Sequence, residues 1–261
     1  MHPFDGLDGH LAGERPAKPR ASGLTMVIDW GIGPQRQRDL TDMAADHFDF
    51  AKIAVGLSRL HAPELLTEKI DRYLSWDVEP FPGGQYLEYA EVHGRLERYL
   101  PACVEAGYRW VEVSDNLAPV TLRWKEGVIA RAVEEFGLKV LGEVGKKEGL
   151  ANAVPLADDA RACMEAGASL LLVEAAELIR GDAETRADID GVVATVGLEK
   201  VMFELPGPWI AGVEEHHVHA MRRDLVDRFG PRVNLGNVQP EDLLSLEAYR
   251  RGLGVNAGAP V

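Results

Sequence analysis

The sequence predicts a single (β/α)8 TIM barrel, and three observations carry that prediction. Short apolar strings recur along the chain, each holding one polar residue: Lys52, Glu112, Glu143, Glu174, Glu204 and Asn234, with Asp29 ahead of them. From Glu112 onward the steps are 31, 31, 30 and 30 residues. Between the strings lie segments with helical apolar spacing, several closed by a glycine at the same interval. Strand and helix alternating at this period mean βαβ units around a parallel sheet, and eight such units favour closure into a barrel. The chain has 261 residues, which suits one barrel of about 250 residues.

The elements follow in order. Residues 1–22 are rich in Gly, Pro, Arg and His and lack the apolar core of a signal peptide, so they are expected to form a flexible lead-in to a catalytic barrel over residues 23–261. The first strand ends Met26-Val-Ile-Asp29, and a helix follows from Pro34 to His47 with proline near its first position and Leu40, Met43 and Ala44 on one face. Phe50-Ala-Lys-Ile53 is the second strand, with a helix over 62–76. Phe81-Pro-Gly-Gly84 ends the third, with a helix over 94–108 stopped at Gly107. Val111-Glu-Val-Ser-Asp115 leads to a helix over 121–136 closed by Gly137, and Leu141-Gly-Glu-Val144 to one over 156–166. Strings ending at Glu174, Glu204 and Asn234 are followed by helices over 187–196, 216–229 and 240–253. Gly31-Ile-Gly33-Pro34 lacks the third glycine of a dinucleotide fingerprint, which speaks against an open doubly wound sheet.

Composition excludes several functions. A net charge of −14 argues against a nucleic-acid partner, because phosphate backbones are held by clustered Lys and Arg. No stretch approaches the roughly 20 apolar residues of a membrane span. The cysteines, Cys103 and Cys163, sit in matching helix-end contexts and are expected as small buried hydrophobes in a cytoplasmic protein. Helix faces are expected to join barrels into a homo-oligomer.

Strand parity directs the polar residues inward. In Val111-Glu112-Val113-Ser114 the valines take the helix side, so Glu112 and Ser114 face the lumen, as do Lys52, Glu174, Glu204 and Asn234 on their strands. Each lies late in its strand, at the face where barrel enzymes place their chemistry. Asp29, Glu112, Glu143, Glu174 and Glu204 would converge with Lys52 and with Lys146 and Lys147. So many carboxylates cannot all ionise in one pocket without cations, and Mg2+ held by one or two of them satisfies that need. Lys52 is a candidate acid/base, Schiff-base nucleophile or anion anchor. Gly83 and Gly84 allow close approach of backbone to a ligand, and Asn234 and Asn237 bring amides near the eighth strand's end. His216, His217 and His219 follow two glutamates at a helix start and read as a solvated face, with Trp209 of the same loop capping the pocket.

Together, Gly23-Leu-Thr-Met-Val-Ile-Asp29, Phe81-Pro-Gly-Gly84, Val111-Glu-Val-Ser-Asp115, Glu143-Val-Gly-Lys-Lys147, Phe203-Glu204, Val233-Asn-Leu-Gly-Asn237 and Ser245-Leu-Glu-Ala-Tyr-Arg-Arg-Gly-Leu253 closely resemble the phosphosulfolactate synthase family, in order and spacing, over nearly the whole chain. The resemblance implies a (β/α)8 fold, Mg2+ dependence and addition of sulfite to phosphoenolpyruvate, the reaction of coenzyme M formation. The family also holds plant heat-stress proteins, so a non-catalytic homologue is one alternative and a Schiff-base aldolase on Lys52 or Lys146 another. By resemblance Lys146 is the general acid, with Lys52 and Glu143 beside it in the catalytic set. Asp29, Glu112, Glu174 and Glu204 are the expected metal ligands. Ser114, Asp115, Gly83, Gly84, Asn234, Asn237, Trp30 and Lys147 are the expected contacts for a small anionic or carboxylate substrate. The family's Asp-Lys-Gly is here Asp29-Trp30-Gly31, and its Glu-Gly-Arg is here Glu174-Ala175-Ala176, so two cations are absent from the expected substrate shell. Trp30 in place of a lysine favours a less charged, larger or flatter substrate.

Overall fold

Eight parallel strands alternate with helices around a nearly closed ring. The structure, a computed structural model, describes residues 14–145, 154–174 and 183–253, together with Pro3, Phe4, Leu7 and Ile179. Strands β1 (Thr25–Asp29), β2 (Phe50–Ile53), β3 (Glu79–Pro82), β4 (Trp110–Val113), β5 (Lys139–Val144), β6 (Leu170–Val173), β7 (Val201–Glu204) and β8 (Asn234–Val238) are hydrogen-bonded in the order β3-β2-β1-β8-β7-β6-β5-β4. β3 and β4 lie side by side and bring the two ends of the sheet together. The described helices are α1 (Pro34–Ala44), α2 (Pro63–Leu74), α3 (Gly84–Val92), α4 (Leu96–Ala106), α5 (Leu122–Glu134), α6 (Leu156–Glu165), α7 (Ala183–Val196), α8 (Glu215–Phe229) and α9 (Leu243–Arg250). None is long and apolar enough to cross a membrane.

Local chemistry accounts for the boundaries. Pro34 and Pro63 open α1 and α2, where a missing N–H costs nothing. The Thr121 hydroxyl caps α5 by accepting the Trp124 N–H at 3.2 Å. Gly107 ends α4 at φ 94°, a conformation other residues resist. The structure adds α3, which sequence periodicity did not mark: Gly-Gln-Tyr-Leu-Glu-Tyr-Ala-Glu-Val has no clear apolar stripe, and its glycine start reads as a turn.

Strand parity divides the interior into two cores. Outward residues such as Val27, Ala51, Val111, Val140 and Phe203 pack against the helices. Inward residues fill the lumen: Met26, Phe50, Phe81, Trp110, Leu141, Leu172 and Met202 close it from within. Phe50 meets Trp110 edge-on at 5.0 Å and Phe81 at 6.2 Å. A side chain on Gly236 would come within 2.6 Å of Met26 Cε, so β8 stays bare beside Met26 and Met202. The polar ring therefore stands on an apolar floor.

Residues 14–22, the described end of the lead-in, drape across the opposite end of the barrel and are anchored there. Arg15 is buried, ion-paired with Glu247, and donates to the Gly23 carbonyl (2.8 Å), Thr25 Oγ1 (3.1 Å) and the His47 carbonyl (3.0 Å). Arg20 pairs with Asp49 at 2.8 Å, and Asp49 in turn accepts the Thr25 N–H at 2.9 Å. Low apolar content hid this anchoring, because two arginines reaching carboxylates distant in sequence hold the segment. Removing one partner of a buried pair strands the other, so Arg15→Ala is expected to lower the unfolding free energy by roughly 3–5 kcal/mol. Urea denaturation checks this, and an unchanged midpoint would show that the segment lies outside the cooperative unit.

Candidate active site

A cavity of about 420 Å³ opens at the C-terminal ends of the strands. Five charged residues project into it from the barrel wall: Lys52 from β2, Glu112 from β4, Glu143 from β5, Glu174 just beyond β6, and Glu204 at the end of β7. All four carboxylates are buried. Register explains the convergence: Val173 pairs with Phe203, so Glu174 continues alongside Glu204, while Leu141 and Glu143 share the lumen side of β5.

Lys52 sits at the electrostatic centre. Its Nζ lies 2.8 Å from Glu112 Oε2 and 2.8 Å from Glu204 Oε1. Burial opposes its charge, but the fields of Glu112, Glu204 and Glu143 outweigh that cost and hold the ammonium well above the usual lysine range. Burial pushes Glu112 up to about 8; Lys52 pulls the other way, and Glu143 and Glu204 add to the rise. Lys52 shares the cavity with four carboxylates, and a cation held among them would relieve their mutual repulsion.

Glu143, Glu174 and Glu204 have the geometry for that cation, since one carboxylate oxygen from each lies within 4.8 Å of the others. Three hard oxygen donors in a buried site suit Mg2+, which also keeps water or substrate oxygens in its shell. Glu143, expected in the catalytic set, joins this trio, whereas Glu112, expected as a ligand, pairs with Lys52.

The structure moves four expected site residues out of the cavity. Asp29 follows Val27 on the outward face of β1, since Met26 and Ile28 point into the barrel. Its Oδ1 accepts the N–H groups of Gly31 (2.8 Å) and Ile32 (2.7 Å), and its Oδ2 binds Lys69 Nζ and the Tyr73 hydroxyl (2.9 Å) of α2. With four donors on two oxygens it clamps a loop and has no lone pair aimed at a metal. Asn234 faces inward one layer too deep, level with Met202; its Oδ1 accepts the Leu24 N–H and its Nδ2 donates to the Val201 carbonyl. Ser114 donates to Glu88, and Asp115 pairs with Lys125 at 3.0 Å. Lys146 and Lys147 lie outside the described residues, as do Ala175 and Ala176.

Trp30, Gly83, Gly84 and Asn237 do line the cavity. The two glycines serve packing: the Gly83 N–H already donates to the Ile53 carbonyl at 2.9 Å, and a side chain on Gly84 would overlap Ser114 Oγ and approach Glu112 Oε1 to 2.8 Å. Asn237 adopts φ 56° and leaves its buried Oδ1 without a hydrogen bond, as does Asn116 Oδ1 across the site. Backbone held in this sparsely populated region marks a place where geometry is imposed. The three histidines remain at the start of α8, where His217 Nδ1 accepts the Glu214 N–H and His219 lies beside Arg222. Both cysteine thiols are buried, unbridged and pushed up to about 12 by burial.

Two supporting groups had no sequence signal. Glu88 of α3 accepts the N–H groups of Asn116 (3.1 Å), Leu117 (2.6 Å) and Ala118 (2.7 Å), fixing the loop after β4. Lys125 of α5, fully buried, bridges Asp115 and Asp159 and donates to the Glu143 carbonyl at 3.0 Å. Their partners lie on other elements, so neither helix sequence by itself marks the contact.

In metal-free protein, folded Glu112 keeps its proton up to about pH 8, whereas the unfolded chain has lost it above about pH 5. The folded state then binds more protons, so stability falls as pH rises through that window. Urea midpoints are expected to decline accordingly, and Glu112→Gln to flatten the decline; a flat wild-type profile would contradict the crowding of carboxylates.

A family profile described as (2R)-phospho-3-sulfolactate synthase (ComA) matches residues 13–256. A phosphosulfolactate synthase of Methanothermobacter thermautotrophicus is 34% identical over 97% of this chain and 96% of its own. One from Methanocaldococcus jannaschii is 31% identical over 88% and 92%, and one from Bacillus subtilis 29% over 92% and 93%. With the site at the C-terminal face of an eight-stranded barrel, these matches over almost the full length establish that the chain belongs to the phosphosulfolactate synthase family of carbon–sulfur lyases.

Proposed function

We propose that this chain is a Mg2+-dependent lyase that adds sulfite, or a related nucleophile, to phosphoenolpyruvate or a similar unsaturated carboxylate through an enolate-type intermediate. The observation that carries this is the juxtaposition of the Glu143, Glu174 and Glu204 trio with a doubly ion-paired Lys52 in one buried cavity. Family membership supplies the reaction type.

The nucleophile's lone pair forms a bond to the terminal methylene carbon as the C=C π bond breaks. Charge moves to the neighbouring carbon and its carboxylate, and a proton delivered to that carbon completes the addition. Mg2+ held by the three glutamates would act as a Lewis acid toward oxygens on which that charge develops. Lys52 supplies fixed positive charge where the substrate carboxylate enters, preorganised by Glu112 and Glu204 so that it does not move during reaction. The apolar lumen beneath keeps bulk water from below and strengthens each of these interactions. Lys146 is assigned the proton donor by resemblance.

The double ion pair weighs against Lys52 as a Schiff-base nucleophile, since attack on a carbonyl needs a neutral amine. The buried charges likewise weigh against a non-catalytic scaffold, which gains nothing from stacking carboxylates. The proposed setting is the cytoplasm, with a small anionic substrate as partner, no nucleic acid or membrane, and helix faces joining copies of the chain.

Incubation with phosphoenolpyruvate, sulfite and Mg2+ is expected to give a sulfonated product. Lys146→Ala and Glu174→Gln should each lower kcat/KM by at least about a hundredfold. No turnover, together with no binding of either anion by calorimetry, would refute the assignment.

A further inference from the structure

The cavity is chemically two-sided. Among its described lining residues, every charged group stands on a strand or one residue beyond it. The loops after β1, β2 and β7 contribute Trp30, Ala54, Val55, Trp209, Ile210 and Ala211 instead. Trp30 and Trp209 come from loops far apart in sequence, yet their rings meet at a centroid distance of 5.5 Å and a tilt of 48°. They remain 45% and 37% exposed, a large apolar area left to solvent at the mouth of a polar site.

Both rings are held in place. Asp29 binds the N–H groups of Gly31 and Ile32, so the turn that presents Trp30 is fixed from the outer face of the barrel through Lys69 and Tyr73. The Trp209 indole lies against the backbone of Gly207, where any side chain would overlap the ring, and a turn from the Ile210 N–H to the Gly207 carbonyl (2.9 Å) locks the step. Val55 completes the wall in a strained backbone conformation at φ 43°. A surface built this way is preorganised to stack a flat ligand face.

We infer that the substrate is an unsaturated carboxylate whose far end is an uncharged planar group seated on Trp30 and Trp209. This rests on the addition chemistry proposed above, whose carboxylate end occupies the charged floor. Specificity then comes from ring stacking at the mouth, where a small anionic acceptor would leave both indoles exposed.

Calorimetric titration of the full chain with Mg2+ tests this, using 2-phenylacrylate, methacrylate and phosphoenolpyruvate as probes. Phenylacrylate and methacrylate carry the same charge and double bond and differ in the ring. The ring is expected to improve affinity by about tenfold or more, and Trp30→Ala or Trp209→Ala to erase that advantage by weakening phenylacrylate far more than methacrylate. Equal affinity for the two enoates, a ring advantage that survives both substitutions, or a preference for phosphoenolpyruvate over phenylacrylate would overturn the aromatic seat and leave the addition chemistry standing. Binding of none of the three would overturn both.

Discussion

Four buried carboxylates around one lysine set the terms for the rest of this molecule. Lys52 pairs with Glu112 and Glu204, and Glu143, Glu174 and Glu204 each bring a carboxylate oxygen within 4.8 Å of the others. A cluster like this would normally relax by admitting water or by moving apart. Moving apart is resisted because Glu143, Glu174 and Glu204 stand on, or one residue beyond, strands paired on both sides, because Glu112 stands on β4 paired with β5, and because Phe50, Phe81, Trp110, Leu141, Leu172 and Met202 fill the lumen below. The stability of the barrel is thus spent on keeping like charges close, which is the usual way a fold stores reactivity.

A second tier of buried ions holds the loops around that centre. Asp29 with Lys69 and Tyr73, Glu88 with the amides after β4, and Lys125 with Asp115 and Asp159 all lie between sheet and helices. Each connects a helix on the outside to a loop on the cavity side. Lys125 touches the backbone of Glu143 itself, so the position of one candidate metal ligand depends on a helix that never enters the site. The opposite end of the barrel uses the same device, with Arg15 and Arg20 anchoring the chain ahead of β1.

Most of this was legible in the sequence, because the signals are periodic. The thirty-residue repeat gave the barrel, and alternation within the strands placed Lys52, Glu112, Glu143, Glu174 and Glu204 in one cavity. Where the sequence misled, a parity or depth argument was missing. Asp29 carries the opposite parity to Ile28, so it belongs to the helix layer, and counting from Met26 would have shown this. Asn234 has the right parity but lies one layer down, a displacement fixed by strand register and invisible without it. Glu88, Lys69 and Lys125 had no signal at all: charged residues on helices look solvated until their distant partners are known. The pairing of Trp30 with Trp209 was hidden for the same reason, although each residue separately was placed near the mouth.

The central claim is that Glu143, Glu174 and Glu204 hold a divalent ion while Glu112 serves Lys52. Titration of Mn2+ followed by electron paramagnetic resonance separates the two roles without requiring turnover. The account predicts one ion bound per chain, weakened at least about tenfold by Glu143→Gln, Glu174→Gln or Glu204→Gln and retained in Glu112→Gln. Binding that survives all three substitutions, or that is lost in Glu112→Gln alone, would contradict it.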